Sequence, residues 1–382
     1  MWNSHRAPAI LPGRTRRLAI PCALILTLAA CGGGATPAPS GTIPGSDTPA
    51  TATPSSAPDS VAGKSLVFIT AGFTSEYQIA QGEWFKQFAE EEGASVAVVD
   101  GEFDAAVQVR ALDDAVAAST DGIIIQSADP VATAPSVNAA RAAGIPVMFV
   151  GGTPDASAVV PAGGVFNDEE LVRQAARDAT AWLETNKPGE KAKVVVFDLP
   201  AVIVCHEWRM VPFVDEITKQ MGAENVEVVF NDFVDATAEG ATAKMEDIVQ
   251  SGEDFNIFSG CGGVYFIGGV QALEQAGRAK AVDGIPDDTF IFTIDATPPE
   301  LEWLVDPSSG VAQTLALTPK TNAQFFLDNF KKVLSGEIDP DSDFVVPAPG
   351  VMLYKADGCE SIRDTLADEY AVIPGYKTVD CG

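Results

Sequence analysis

Histidine is nearly missing from this chain: its 382 residues include two, His5 and His206. A zinc site of the usual kind cannot be built from them, and no H-E-x-x-H helix occurs. No G-x-S-x-G elbow is present, and no P-loop or G-x-G-x-x-G pattern is completed. Cysteines never stand at C-x-x-C spacing, which argues against zinc and redox chemistry. Basic residues are scarce as well, with 24 Lys and Arg against 53 Asp and Glu and a formal net charge of -29. Such a surface repels nucleic acid and anionic headgroups. These gaps remove the common signatures of an enzyme, so the expectation is no enzyme, no cofactor, no metal and no nucleic acid partner.

Long apolar runs are also lacking. The run Leu18–Ala30, preceded by Arg14, Arg16 and Arg17, is too short for a comfortable bilayer span and reads as the apolar part of a signal peptide. It ends Leu28-Ala29-Ala30-Cys31-Gly32, which resembles the lipobox of bacterial lipoproteins. The resemblance implies cleavage before Cys31, lipid (palmitate) on its thiol, and residence on the outer face of the cytoplasmic membrane. Residues 31–62 are rich in Thr, Pro, Ser, Ala and Gly and cannot bury a core, so they read as a disordered tether. With Cys22 removed and Cys31 lipidated, Cys205, Cys261, Cys359 and Cys381 remain, an even number in an oxidising compartment. Three pairings are open; Cys359 with Cys381, tying down the tail, and Cys205 with Cys261 are favoured over four buried thiols.

What is abundant is alternation. Asp121-Gly-Ile-Ile-Ile-Gln126 is an apolar run of strand length, an Ala-rich helical segment ends at Gly144, and Ile145-Pro-Val-Met-Phe-Val150 follows. Strand, helix, strand at this pitch is a βαβ unit of a parallel sheet with a right-handed crossover. The pattern begins at Leu66–Thr70, continues through Val96–Val99, and restarts after Lys187-Pro-Gly189 with strands at Val194–Phe197, Val226–Phe230, Phe255–Phe258 and Phe290–Ile294. The fold class is therefore α/β, with two doubly wound parallel-sheet lobes. Ligands in such sheets sit beyond the carboxyl ends of the strands.

The order of elements, Asp121-Gly-Ile-Ile-Ile, Ala143-Gly-Ile-Pro-Val147, Asn167-Asp168 before a helix, Phe213 four residues after Arg209, and Phe292-Thr-Ile-Asp295-Ala-Thr-Pro together resemble type I periplasmic binding proteins, in the ribose-binding branch. The resemblance covers about Lys64–Tyr354. It implies a three-strand hinge with crossings near Asn167, Leu317 and Asp343. One lobe would then hold residues 63–167 and 318–343, and the other 168–317 and 344–382. It further implies a monomer that captures a sugar or similar small polar solute in the cleft, without changing it, and delivers it to an ABC permease.

The same resemblance implies a ligand set: Phe73, Glu76 and Tyr77 after the first strand, Asp100 after the second, Gln126 after the third, Asn167 at the first crossing, Glu207 and Arg209 in the loop after Phe197, Phe233, and Asp295 as the strongest single position. Asp100 could instead be an N-cap, Arg209 a structural ion pair, and His206 a capping or packing residue. Three usual polar clamps are replaced, by Gly151-Gly152, Gly262-Gly263 and Leu317, which leaves room for a larger or less hydroxylated ligand. Because Glu76, Asp100, Glu207 and Asp295 are acidic and Phe73, Tyr77, Trp208 and Phe233 aromatic, an amine-bearing or cationic ligand competes with a neutral sugar. A ligand sensor for a membrane receptor is a further alternative. Asp339, Asp341 and Asp343 alternate as in a calcium loop, but Phe344 and Gly350 stand where Gly and Glu are needed, so a solvated loop is the better account.

Overall fold

The computed structural model describes residues 60–73, 75–150, 164–165, 168–200, 202–235, 237–339, 346–347, 350–376 and 379–382. Cys31, the signal segment, the tether up to residue 59, Gly151-Gly152, Asn167, Asp341 and Asp343 lie outside these residues; the end of the tether is described, and Val61 there is buried in the core.

The first lobe runs β1 (Ser65–Ile69), α1 (Glu76–Glu91), β2 (Ser95–Val99), α2 (Ala105–Ala117), β3 (Gly122–Ile125), α3 (Pro130–Ala142) and β4 (Val147–Phe149). Its strands pair in parallel in the order β2-β1-β3-β4. Because side chains alternate across a strand, Ile123 and Ile125 pack on one face of the sheet with Leu112, Val137 and Ile145, while Ile124 packs on the other with Phe68, Phe85 and Met148. Asp121 fixes the start of the sheet by accepting from the Ser65 backbone N–H at 2.8 Å and from Lys64 at 3.1 Å.

A short strand, β5 (Gly164–Val165), leads into the second lobe. There follow α4 (Glu169–Asn186), β6 (Ala192–Asp198), a single turn α5 (Ile203–Cys205), a π-helical turn at His206–Met210, α6 (Val211–Met221), β7 (Val226–Phe233), α7 (Ala238–Ser251), β8 (Ile257–Gly260), α8 (Gly263–Gln275), the small hairpin β9 (Ala281–Val282) and β10 (Ile285–Pro286), β11 (Phe290–Asp295), α9 (Pro298–Val305) and β12 (Val311–Ala316). The chain then returns to the first lobe as α10 (Pro319–Ser335), which lies against α1. After β13 (Val346–Pro347) it adds β14 (Val351–Tyr354) to the second sheet, whose order is β14-β12-β11-β8-β6-β7. All neighbours in this sheet are parallel except β12 and β14.

Two of the three crossings thus pair with each other, β5 with β13, in parallel. The third is the buried pair Leu317-Thr318. The π-turn at His206–Met210 runs directly into α6, and α10 carries Pro319 in its first turn.

The tail does not stay with one lobe. After α11 (Cys359–Leu366), the Glu369 carboxylate accepts from the backbone N–H groups of Lys320 and Thr321, at 2.7 and 3.2 Å, and from the Thr321 hydroxyl at 2.7 Å. It thereby caps α10 of the first lobe, where free N–H groups and the helix dipole favour an anion. Trp84 of α1 donates its indole N–H to the Glu369 carbonyl at 2.7 Å. The next residue, Tyr370, is buried and donates to the Asp295 carbonyl of the second lobe at 3.4 Å. Cys359 and Cys381 are disulfide-bonded across the base of this strap.

Candidate functional site: a cleft between the lobes

The loops at the carboxyl ends of both sheets enclose a cavity of about 320 Å³. That is near the lower end of the range for small-molecule sites, roughly 300–1,000 Å³. Four of the expected ligand residues line it: Tyr77, Gln126, Arg209 and Asp295.

On the first-lobe side, Gln108 organises the loops. Its buried amide donates to the Thr70 and Gln126 carbonyls at 2.9 and 2.8 Å and accepts from the Ala128 N–H at 2.9 Å. This holds Gln126 and Ser127 at the strand ends. Ser75, at the N-terminus of α1, together with Gln78 and Gln126, contributes polar side chains to the lining. Each of these three carries a buried oxygen with no partner among the described residues: Ser75 Oγ, Gln78 Oε1 and Gln126 Oε1. An unpaired buried acceptor or hydroxyl costs about 1–3 kcal/mol, so such atoms gather where a ligand supplies the missing bond. Tyr77 is buried, and its hydroxyl accepts from Gln81 and Asn322. Burial pushes that hydroxyl's pKa well above its ordinary value.

On the second-lobe side, the π-turn after β6 carries Arg209 inward, and such turns are often found at functional sites. The guanidinium is held on three sides. Nε and Nη2 both reach Asp168 Oδ2 at 2.7 Å, and Nη1 donates to the Cys261 carbonyl at 2.7 Å. Asp168 therefore flanks α4 without capping it by its side chain, because its carboxylate is engaged by Arg209. Cys205 and Cys261 are disulfide-bonded, and both line the cavity.

Asp295 ends β11. Its Oδ2 accepts from the Gly263 N–H at 2.9 Å, at the start of α8, and its Oδ1 lies 4.0 Å from Arg209 Nη1. The backbone there is left-handed, with φ of 103° at Asp295 and 55° at Ala296, a costly conformation for non-glycine residues that recurs at binding sites. Gly262 and Gly263 leave room for this approach. A Cβ on Gly262 would stand 3.0 Å from Asp295 Oδ2, and one on Gly263 3.1 Å from Glu300 Oε2. Burial pushes the Asp295 carboxyl up to about 6, against the lowering influence of Arg209 and the Gly263 N–H. Beneath it, fully buried Glu300 is pushed up to about 8 by burial and then by the Asp295 charge.

Several expected ligand residues lie elsewhere. Asp100 is a brace: its Oδ1 accepts from the Phe73 and Glu102 N–H groups, both at 2.9 Å. Phe73 gives its N–H to that brace, and its side chain is not part of the lining. Glu76 and Glu207 are exposed, outside the lining, and Phe233 is 55% exposed at the end of β7, an edge strand. Trp208 packs against the hydrophobic core, and His206 braces Asp198 through Nδ1. Of the four acids and four aromatics that would cage a cation, only Asp295 and Tyr77 face the cavity. Loop membership places a residue near the cleft, but its side-chain direction is set by the turn.

Sequence reasoning missed Phe103, Gln78 and the apolar wall at Val202 and Val204. Phe103 lies over Gly72, where a Cβ would come within 2.4 Å of its ring, so Gly72 is needed to seat it. The signal was available in Gly101-Glu102-Phe103, a loop in the position that carries ligand contacts.

A family profile for the periplasmic binding protein domain matches residues 66–340. The chain belongs to the periplasmic binding protein family. Membership in this family of extracytoplasmic solute-binding proteins accounts for two sheets with their strand ends facing one cleft. No curated protein sequence matches the chain. Among solved structures, an ABC sugar transporter subunit from Rhodobacter sphaeroides is 22% identical, with 78% of this chain and 100% of that one covered and a TM-score of 0.64. An ABC transporter solute-binding protein from Agrobacterium vitis with bound allitol is 20% identical, over 80% and 100% of the two chains, with a TM-score of 0.64. A Mycobacterium smegmatis protein in complex with β-D-fucofuranose is 18% identical, over 83% and 100%, with a TM-score of 0.66. At these identities the likeness establishes the fold that this periplasmic binding protein shares with them.

Proposed function

We propose that this protein is the substrate-binding component of an ABC importer, tethered by lipid on Cys31 to the outer face of the cytoplasmic membrane. It takes up a neutral sugar or polyol between its lobes and presents it, unchanged, to the permease. The observation that carries this reading is the set of unpaired buried oxygens at Ser75, Gln78 and Gln126, in one cavity with the Asp295 carboxylate. Sugar hydroxyls donate and accept, and this set needs donors. A site built in this way rejects ligands that lack the matching hydroxyl. The allitol and β-D-fucofuranose complexes of proteins with the same fold support the ligand class.

The charges argue against an anion, and the dispersal of Glu76, Glu207, Trp208 and Phe233 away from the lining argues against a caged cation. Arg209 is engaged by Asp168, and Asp295 adds a negative charge that disfavours anions. Closure would pivot on the β5–β13 pair and on Leu317-Thr318, moving residues 63–167 and 318–343 against the body of the second lobe. The test is a thermal-shift screen of sugars, polyols, amines and organic acids, followed by calorimetry and by mass spectrometry of what co-purifies. Stabilisation by at least one sugar or polyol, strongly reduced in Asp295→Ala, is the expected outcome. Stabilisation by amines or acids alone would overturn the reading.

A further inference from the structure

The two sides of the cavity differ in chemistry. The amide and small hydroxyl side chains of the lining, Ser75, Gln78, Gln126 and Ser127, all come from the first lobe. The second lobe faces them with Leu199, Val202, Val204, Val264 and the Cys205–Cys261 disulfide. Among the described residues, its charged side chains in the lining are confined to the Arg209–Asp295 corner, where Arg209 is already bonded to Asp168 and to the Cys261 carbonyl. The Tyr265 hydroxyl is turned away as well, donating to the Val234 carbonyl at 3.1 Å.

A fully hydroxylated pyranose placed here would satisfy the first lobe on one face and bury hydroxyls against valine and sulfur on the other. A hydroxyl buried without a partner costs about 1–3 kcal/mol in proteins. The same volume filled by a methyl group gains from burial instead.

We infer that the ligand is facially amphiphilic: a deoxy or alkylated sugar, or a methyl glycoside, whose hydroxyls meet the first lobe and Asp295 while its apolar arm packs on Val202, Val204, Val264 and the disulfide. This rests on the sugar reading above and narrows it. The disulfide is then a contact surface for the ligand as well as a tie between the loops after β6 and β8.

The test uses the mature protein and calorimetry on matched pairs: D-fucose against D-galactose, L-rhamnose against L-mannose, and methyl glycosides against their free hexoses. In at least one pair the deoxy or methylated member should bind roughly 10-fold tighter or more, the usual discrimination of an apolar pocket. Val264→Thr and Val202→Thr, which keep the side-chain volume, should shrink that ratio by raising affinity for the hydroxylated member. Gln126→Leu should weaken both members alike and leave the ratio in place. If the parent sugars bind as well as or better than their partners in every pair, the inference is wrong and the sugar reading stands. A panel in which no sugar or polyol binds, while another solute does, removes the sugar reading and this inference with it.

Discussion

The two walls of the cleft are built on the same strand-end geometry and reach opposite solutions. The second-lobe wall is locked: a disulfide joins its loops, Asp168 and the Cys261 carbonyl hold Arg209, and the Gly263 N–H holds Asp295. The first-lobe wall is braced from behind by Gln108 and Asp100 but leaves Ser75, Gln78 and Gln126 with unpaired oxygens. The comparison teaches that internal bonding and ligand bonding compete for the same polar groups. A wall that ties up its polar atoms offers the ligand shape and one fixed charge. A wall whose braces lie behind the surface offers hydrogen bonds.

The sharpest way to break this comparison is to unlock the second wall. Cys205→Ser with Cys261→Ser opens a cross-link with a sequence separation of 56 and is expected to cost roughly 4 kcal/mol of stability by loop entropy. Cys359→Ser with Cys381→Ser, at a separation of 22, should cost roughly 3 kcal/mol. Denaturant melts give the stabilities, and calorimetry should show ligand affinity falling in the first double variant far more than in the second. Equal affinity in both would mean that the lock does nothing for the site.

Next in size is Asp295→Ala, expected to weaken ligand binding by about 3 kcal/mol, roughly 150-fold, since a charge-assisted bond in a buried corner is lost. Gln126→Ala on the opposite wall should cost about 1 kcal/mol, a neutral hydrogen bond. If the two losses were equal, the walls would not differ as described.

Glu369→Ala removes the cap on α10 and loosens the strap between lobes; about 1 kcal/mol of stability should be lost in a denaturant melt.

The last effect is read as a slope. Glu300 and Asp295 have folded pKa values raised above their unfolded ones, to about 8 and about 6. The folded state therefore binds more protons than the unfolded state between roughly pH 4 and 8, and stability is full below that window and falls as pH rises through it. Glu300→Gln should flatten this fall, and melting temperatures at pH 5, 6, 7 and 8 check it. A steeper fall in the variant would contradict the burial of Glu300 as an acid.

The sequence reading of the fold rested on apolar runs such as Gly122–Ile125 and Phe290–Ile294, which can be buried on both faces only inside a covered parallel sheet. Those runs fixed the strand ends, and Gln126 and Asp295 were legible because they follow directly. Phe73, Glu76, Asp100 and Glu207 stand in the same loops and do not face the cavity. A one-residue change of direction in a turn is invisible in composition. Phe103 was hidden for the converse reason, since its place depends on positive φ at Glu102 and Phe103 and on the missing Cβ of Gly72.

The amino-acid sequence by itself determined the α/β alternation, the strand ends where a ligand would be met, the acidic surface and the four cysteines of the folded part. These depend on local period and composition, which each short segment carries alone. Only the tertiary structure decided that Asp168 would take Arg209, 41 residues away, that Glu369 would cap α10, and that one wall would be apolar and the other unpaired. Such choices depend on which side chains two folded lobes bring within about 3 Å of each other, a distance no one-dimensional pattern encodes.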